Sequence, residues 1–232
     1  MIKIFNSRIL ETKDLTSGVK SLKLSVPRDF DFKAGQYLSL SVPRNDGKKI
    51  RKPLSIANPP QSRNESIEFC IKIIPNGLAS EFVKTLNKGD EVELFGPAGK
   101  FVVSDFNKDL IFIASGVGIA PFMSMIPDLL KRGFDKSIIL LKSAKNEEDS
   151  LYNEELEELQ GKYSNFQFYN IFSHPIKSQN HGYIQDFLER YVPENFKGNF
   201  YICGLKEMIN DVRKKLLSLN FKEGQMFNEK FD

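Results

Sequence analysis

The sequence predicts two domains in 232 residues: a small antiparallel β-barrel over residues 1–104 and an α/β domain with a parallel sheet over residues 105–232. Three observations carry this. The first hundred residues contain short runs that alternate apolar and polar with period two, the mark of strands with one dry and one wet face. From Leu110 onward the runs are continuously apolar, as in strands buried on both faces. Those runs alternate with helical stretches, and strand–helix alternation means a parallel sheet flanked by helices.

In the first domain Leu22, Leu24 and Val26 alternate with Lys23 and Ser25. Leu38, Leu40 and Val42 alternate with Ser39 and Ser41, and Ile67, Phe69, Ile71 and Ile73 with Glu68, Cys70 and Lys72. Turn residues separate them at Pro43–Gly47, Asn58-Pro59-Pro60 and Pro75-Asn76-Gly77. A helix is expected over Ser80–Leu86, then a turn at Gly89-Asp90 and a strand through Val92 and Leu94. The pattern changes near residues 103–108. The second domain reads as Leu110–Ala114 (strand), Ala120–Arg132 (helix), Ile138–Leu141 (strand), Tyr152–Lys162 (helix) and Phe166–Phe172 (strand). It continues with Tyr183–Arg190 (helix), Phe200–Cys203 (strand), Lys206–Leu219 (helix) and a last strand near Met226-Phe227. This is a doubly wound, Rossmann-like pattern.

Composition narrows the function. Cys70 and Cys203 form no CxxC and cannot by themselves ligate a four-cysteine zinc site or iron–sulfur cluster. His174 and His181 read as surface or capping residues, and no metal site is expected. A net charge of +3 does not point to nucleic acid. Leu110–Pro127 is uncharged, but Gly116, Gly118, Pro121 and Pro127 punctuate it as strand, turn and helix, so no membrane span is expected. The N-terminus has no signal-peptide core, which places the expectation in the cytoplasm.

Chemistry concentrates at Ser115-Gly116-Val117-Gly118-Ile119-Ala120-Pro121-Phe122, a strand-to-helix junction. Glycines there let a diphosphate approach the backbone. Pro121 suits a first helical turn, and the helix N-terminus offers unpaired N–H groups. The spacing alone is GxG, which also fits a tight turn with no ligand. The stretch from Gly116 to Pro121 resembles the nicotinamide-diphosphate motif of the ferredoxin–NADP reductase superfamily. That resemblance implies a six-stranded antiparallel flavin-binding β-barrel followed by an NAD(P)-binding α/β domain.

Further segments carry the same resemblance. Lys52-Pro53-Leu54-Ser55-Ile56-Ala57 resembles the family's Arg-x-Tyr-Ser flavin motif, with Ser55 implied at flavin N5. Lys52 stands at the arginine position with Arg51 beside it, and Leu54 replaces an aromatic; a lysine lacks the fork that grips phosphate, so Arg51 is an alternative grip. Gly77-Leu78-Ala79-Ser80 resembles the Gly-x-x-Ser turn of the flavin diphosphate, with Ser80 expected to cap a helix. Cys203-Gly204-x-x-x-Met208 resembles the motif at the nicotinamide pocket, and the C-terminal Glu229-Lys230-Phe231 the family's Glu-x-aromatic end. The resemblance assigns Ser55, Cys203 and Glu229 to the reaction centre, with Phe231 near the flavin. The adenosine side of the coenzyme is expected after the next strand, at Lys145, with Tyr152 available to stack on adenine.

The resemblance implies a stand-alone module that passes hydride from NAD(P)H to bound FAD, preferred over FMN because of the diphosphate turn. Electrons would then go to a separate acceptor protein such as a ferredoxin or an oxygenase component. Two other readings stay open: an NAD(P)H:free-flavin reductase, and a non-catalytic flavin- or nucleotide-binding subunit. The sequence does not select NADH or NADPH, since Glu147, Glu148 and Asp149 follow Lys145. Nor does it state the oligomer.

Overall fold

The computed structural model describes residues 2–60, 66–174 and 180–231. The chain divides into two compact units: residues 1–102 with Ala120–Asp128, and Val103–Ile119 with residues 129–232.

The first unit holds strands β1 (Lys3–Thr16), β2 (Val19–Ser25), β3 (Tyr37–Pro43), β4 (Lys49–Ser55), β5 (Ser66–Lys72) and β6 (Glu91–Ala98), with helix α1 (Leu78–Thr85) between the last two. The strands pair antiparallel in the order β4-β3-β6-β1-β2-β5. Leu22, Leu24, Leu38, Leu40, Ile67, Phe69 and Leu94 fill the core from the inward faces, as period two requires. β1 is the hub, pairing with both β2 and β6. The sequence reading does not find it, because its inward positions include Ser7 beside Ile9 and the apolar alternation is broken.

Strands β4 and β5 are the two ends of the sheet, and the residues just after β4 close the ring. Ile56 bridges to Phe69. The Ala57 N–H donates to the Glu68 carbonyl at 2.8 Å. Asn58 completes the closure with its side chain: Oδ1 accepts from the Glu68 N–H at 2.7 Å and Nδ2 donates to the Ser66 carbonyl at 3.1 Å. An open edge would leave a row of backbone groups without partners, and this stitch removes it. Within the same unit Ser124 donates to the Asn58 carbonyl at 2.8 Å, and Phe122 lies 5.9 Å from Phe101 between ring centroids. The first part of the helix after the glycine turn thus groups with the barrel, whereas a single cut at 104/105 assigns that whole helix to the second domain.

The other elements run β7 (Leu110–Ser115), α2 (Ala120–Lys131), β8 (Ile138–Ala144), α3 (Asn153–Lys162), β9 (Phe166–Phe172), α4 (Leu188–Tyr191), β10 (Asn199–Gly204), α5 (Lys206–Ser218) and β11 (Met226–Lys230). The sheet is parallel in the order β11-β10-β7-β8-β9. Ile111, Ile113, Phe200 and Ile202 share a core with Leu188 of α4 and with Ile209, Val212 and Leu216 of α5. On the opposite face Tyr201 lies between Phe112, at 5.5 Å, and Phe227, at 5.0 Å. The helix expected over Tyr183–Arg190 is instead a 3-10 turn, Ile184–Phe187, followed by the short α4. Among the described residues, no helix is long and apolar enough to cross a membrane.

Replacing Asn58 with Ala removes both side-chain bonds of the closure and leaves the Glu68 N–H without that acceptor. The expected loss is about 2 kcal/mol of unfolding free energy, read from urea denaturation.

Candidate functional site

The chain runs from β7 to β8 on one side of the sheet, yet β10 flanks β7 on the other side. A parallel sheet opens a ligand crevice where strand order reverses, at the carboxyl ends of those strands. Here that is the end of β7, next to the end of β10. The turn after β7, Gly116–Ile119, is a 3-10 turn. Gly116 has φ +51°, and a Cβ there would meet nothing within 4 Å, so its backbone faces open space.

Gly118 is needed for a different reason. A Cβ on it would stand 2.3 Å from the Cys203 carbonyl oxygen. Gly204 answers from the other strand: its φ is +151°, and a Cβ would stand 2.1 Å from Ser115 Oγ. Ser115 Oγ accepts from the Leu205 N–H at 3.3 Å. Two glycines, one on each strand end, let the backbones of β7 and β10 close to van der Waals contact. Val117 and Ile119 complete the turn, and Ala120 and Pro121 are buried at the start of α2.

The register then assembles the C-terminal motifs. Cys203 pairs with Ala114 on one side and Glu229 on the other, and Gly204 pairs with Lys230. The Phe231 N–H donates to the Gly204 carbonyl at 3.0 Å, and Met208 lies beside Gly204. Cys203, Glu229, Gly204, Met208 and Phe231, far apart in the chain, therefore meet at one end of one strand pair. Burial pushes the Cys203 thiol well above its ordinary range, and the Glu229 carboxylate adds to the shift. A thiol so held is a poor source of thiolate.

In the barrel unit, strand alternation separates two residues that the sequence reading left as alternatives. Lys52 shares the face of Ile50 and Leu54, whereas Arg51 shares the outer face with Pro53. The Arg51 guanidinium lies 4.0 Å from the Phe95 ring centroid, a cation–π contact, and Lys49 pairs with Glu93 at 3.4 Å. Ser41 Oγ donates to the same Glu93 carboxylate at 2.7 Å, and these donors hold its pKa below the usual range. Ser55 ends β4 and is 4% exposed; Leu54, Ile56 and Ala57 around it are also buried.

The start of α1 differs in one respect from expectation. Gly77, not Ser80, occupies the capping position, and no side chain caps the helix. The Ser80 hydroxyl accepts from the Ile74 N–H at 2.9 Å, which draws the preceding loop against the first turn. The first intrahelical bond is from the Glu81 N–H to the Gly77 carbonyl. The N–H groups of Leu78, Ala79 and Ser80 precede it in the first turn, where helix geometry supplies no intrahelical acceptor. Leu78 and Ile74 are 42% and 51% exposed beside them. An apolar surface next to first-turn N–H groups suits an aromatic ligand carrying a diphosphate.

The region beyond β8 holds a residue that the sequence reading missed. Lys145 is exposed, and its carbonyl accepts from the His174 N–H at 2.7 Å. Lys142, three residues earlier on β8, is only 5% exposed. Burial pushes its ammonium down to about 7, an effect partly offset by Glu155 and Glu157. The available signal was a single charge inside the apolar run Ile138–Leu141 and onward to Ala144. Lys142, Gly116, Ile119, Ser143, Asp149 and Leu151 line one hollow beside the glycine turn.

Comparison with known proteins places both parts of the chain among oxidoreductase domains. The family model for the oxidoreductase FAD-binding domain matches residues 6–103, and that for the oxidoreductase NAD-binding domain matches residues 112–214. The chain is 37% identical over 226 residues to the reductase component of phenol 2-monooxygenase from Pseudomonas sp. (strain CF600), covering 94% of this chain and 63% of that protein. It is 27% identical to the toluate 1,2-dioxygenase electron transfer component of Pseudomonas putida, covering 98% of this chain and 66% of that one. It thus spans less than two thirds of the length of these relatives. A ferredoxin NADP+ reductase from Neisseria gonorrhoeae, solved with FAD and NADP bound, shares the fold, with a TM-score of 0.86, 23% identity and 98% coverage of both chains.

Two outcomes test this site. Gly118→Ala forces the β7 turn away from Cys203 and costs about 1–3 kcal/mol of stability in chemical denaturation, and nucleotide binding weakens with it. The second concerns pH. Folded Lys142 releases its proton near pH 7, but an unfolded lysine keeps it to about 10.4. Between these values the unfolded chain binds more protons, so this group's contribution to stability rises with pH, by at most about 1.4 kcal/mol per pH unit. Guanidinium midpoints at pH 7 and 9 show that rise in the native chain and lack it in Lys142→Met.

Proposed function

The chain belongs to the ferredoxin–NADP reductase superfamily, and on that premise we propose that it is an NAD(P)H-dependent flavoprotein reductase that hands electrons to a separate protein. When bound, FAD supplies the redox chemistry, accepting hydride from the coenzyme and releasing electrons one at a time. The chain's own residues supply binding, orientation and exclusion of water. The observation that carries the reading is the junction of Gly116–Gly118 with Cys203–Gly204, where an open glycine backbone borders the buried end of β10, whose Cys203 pairs with Glu229 of β11.

The residues present fit both groups. Gly116 leaves room for a diphosphate, and no Cβ fills that space. The first-turn N–H groups of Leu78, Ala79 and Ser80 suit the flavin diphosphate, and Ile74 and Leu78 offer apolar cover. Lys52, at the position of the motif's arginine and sharing a face with Leu54, is assigned the phosphate grip. Ser55 is assigned to the flavin N5 and holds it by a hydrogen bond. Cys203 and Glu229, paired across β10 and β11, would border the nicotinamide, the thiol as a shaping group and the carboxylate as one that would favour positive charge on the ring.

The acceptor is assigned to the class that the relatives' names describe, an oxygenase component, or a ferredoxin. The two cysteines are free and buried, which suits a reducing compartment, and the cytoplasm is the assigned location.

Anaerobic addition of NADH or NADPH to the purified, yellow protein tests the reading: the flavin absorbance bleaches with one or both coenzymes. No bleaching with either overturns it. A flavin that separates from the protein on gel filtration favours a free-flavin reductase instead. Ser55→Ala keeps its flavin and slows the bleaching by about 10- to 1000-fold in stopped flow; an unchanged rate removes Ser55 from this role.

A further inference from the structure

Lys142 lies two residues before the end of β8, in register with Ala114 of β7 and Asn170 of β9. Its Nζ donates to Ser150 Oγ at 3.1 Å, to Asn153 Oδ1 at 2.7 Å and to the Leu151 carbonyl. An ammonium has three protons, and each has an acceptor here. The cluster extends further: Ser150 Oγ lies 3.1 Å from Asn153 Oδ1 and 3.2 Å from Asn170 Oδ1, and Asn170 Nδ2 donates to Asn153 Oδ1 at 3.3 Å. All three lysine partners come from one turn, residues 150–153.

Between Leu151 and Asn153 sits Tyr152, which caps α3 with φ +58° and ψ +33°. That is the left-handed region, which a bulky side chain enters only at a cost in strain. Such a conformation persists where its surroundings over-determine it. Lys142 bonds residues on both sides of Tyr152, and among the described residues only three non-glycine positions have positive φ. The same turn walls the hollow that begins at Gly116 and Ile119. A buried amine is costly to place in an otherwise apolar strand, and such groups concentrate at functional sites.

We propose that Lys142 is a positioning residue for the adenosine end of the coenzyme: by tying Ser150, Leu151 and Asn153 it holds Tyr152 in its left-handed conformation, in the turn whose Ser150 and Leu151 line the hollow. This rests on the proposed coenzyme reading of the second unit. Lys142 itself does no chemistry. Its effect falls on affinity and not on the hydride step, and it acts through Tyr152.

The test is calorimetric binding of ADP-ribose to the flavin-loaded protein, with steady-state kinetics alongside. Lys142→Met weakens ADP-ribose binding by about 10-fold and raises the coenzyme KM by a similar factor, with kcat within twofold of native. Tyr152→Ala does the same, and the double variant is no weaker than either single one, because both changes remove one interaction. Asn153→Ala removes one of the three bonds that tie Lys142 to the turn and weakens binding in the same direction by about threefold, which keeps the test available if Lys142→Met does not fold. Binding within twofold of native in Lys142→Met, or losses that multiply in the double variant, overturns the proposal and leaves the reductase reading intact. A native protein that binds no ADP-ribose and is not reduced by either coenzyme overturns both.

Discussion

The contact between the turn after β7 and the end of β10 is the constraint on which the nucleotide half depends. Two backbones meet there at a distance that no side chain can share. Gly118 yields to the Cys203 carbonyl, and Gly204 yields to Ser115. That mutual concession brings a turn near residue 117 against a strand end near residue 203, and pairing of β10 with β11 adds Glu229 and Phe231. The functional cluster is therefore a consequence of sheet order. A topology that placed β8, and not β10, on that side of β7 would leave the same motifs scattered.

The barrel half obeys a comparable economy. The segment that resembles a flavin motif does two things at once. Its first part, Lys52–Ser55, presents side chains in strand alternation, and its last part, Ile56–Asn58, joins the two sheet edges. Asn58, which from sequence alone reads as a turn residue, has both side-chain amide atoms committed to β5 backbone. Barrel closure is thus carried by residues adjacent to those proposed to hold the cofactor.

Charges in this protein sort by whether water can reach them. Lys49, Arg51 and Glu93 form an outer-face group whose pairing is worth little in stability because solvent screens it. Lys142 is the opposite case. Its surroundings disfavour the ammonium, yet three acceptors from one turn are arranged around it.

Period-two alternation in Leu22–Val26, Leu38–Val42 and Ile67–Ile73, and the apolar runs at Leu110 and Ile138, were enough to predict both architectures, because burial on one face or two writes a different pattern into the chain. The glycine turn, the Cys203-Gly204 pair and the Glu229–Phe231 end were likewise legible as motifs. Strand β1 was not, since a buried Ser7 interrupts its apolar face, nor was the face of β4 that Arg51 and Lys52 each occupy. The capping role expected of Ser80 passed to Gly77 because the loop before α1 claimed the hydroxyl. What the chain alone determines here is the set of local preferences: where it turns, alternates and buries. What only the tertiary structure decides is which of those places meet, because hydrogen-bond register and strand order are long-range pairings that no local pattern encodes.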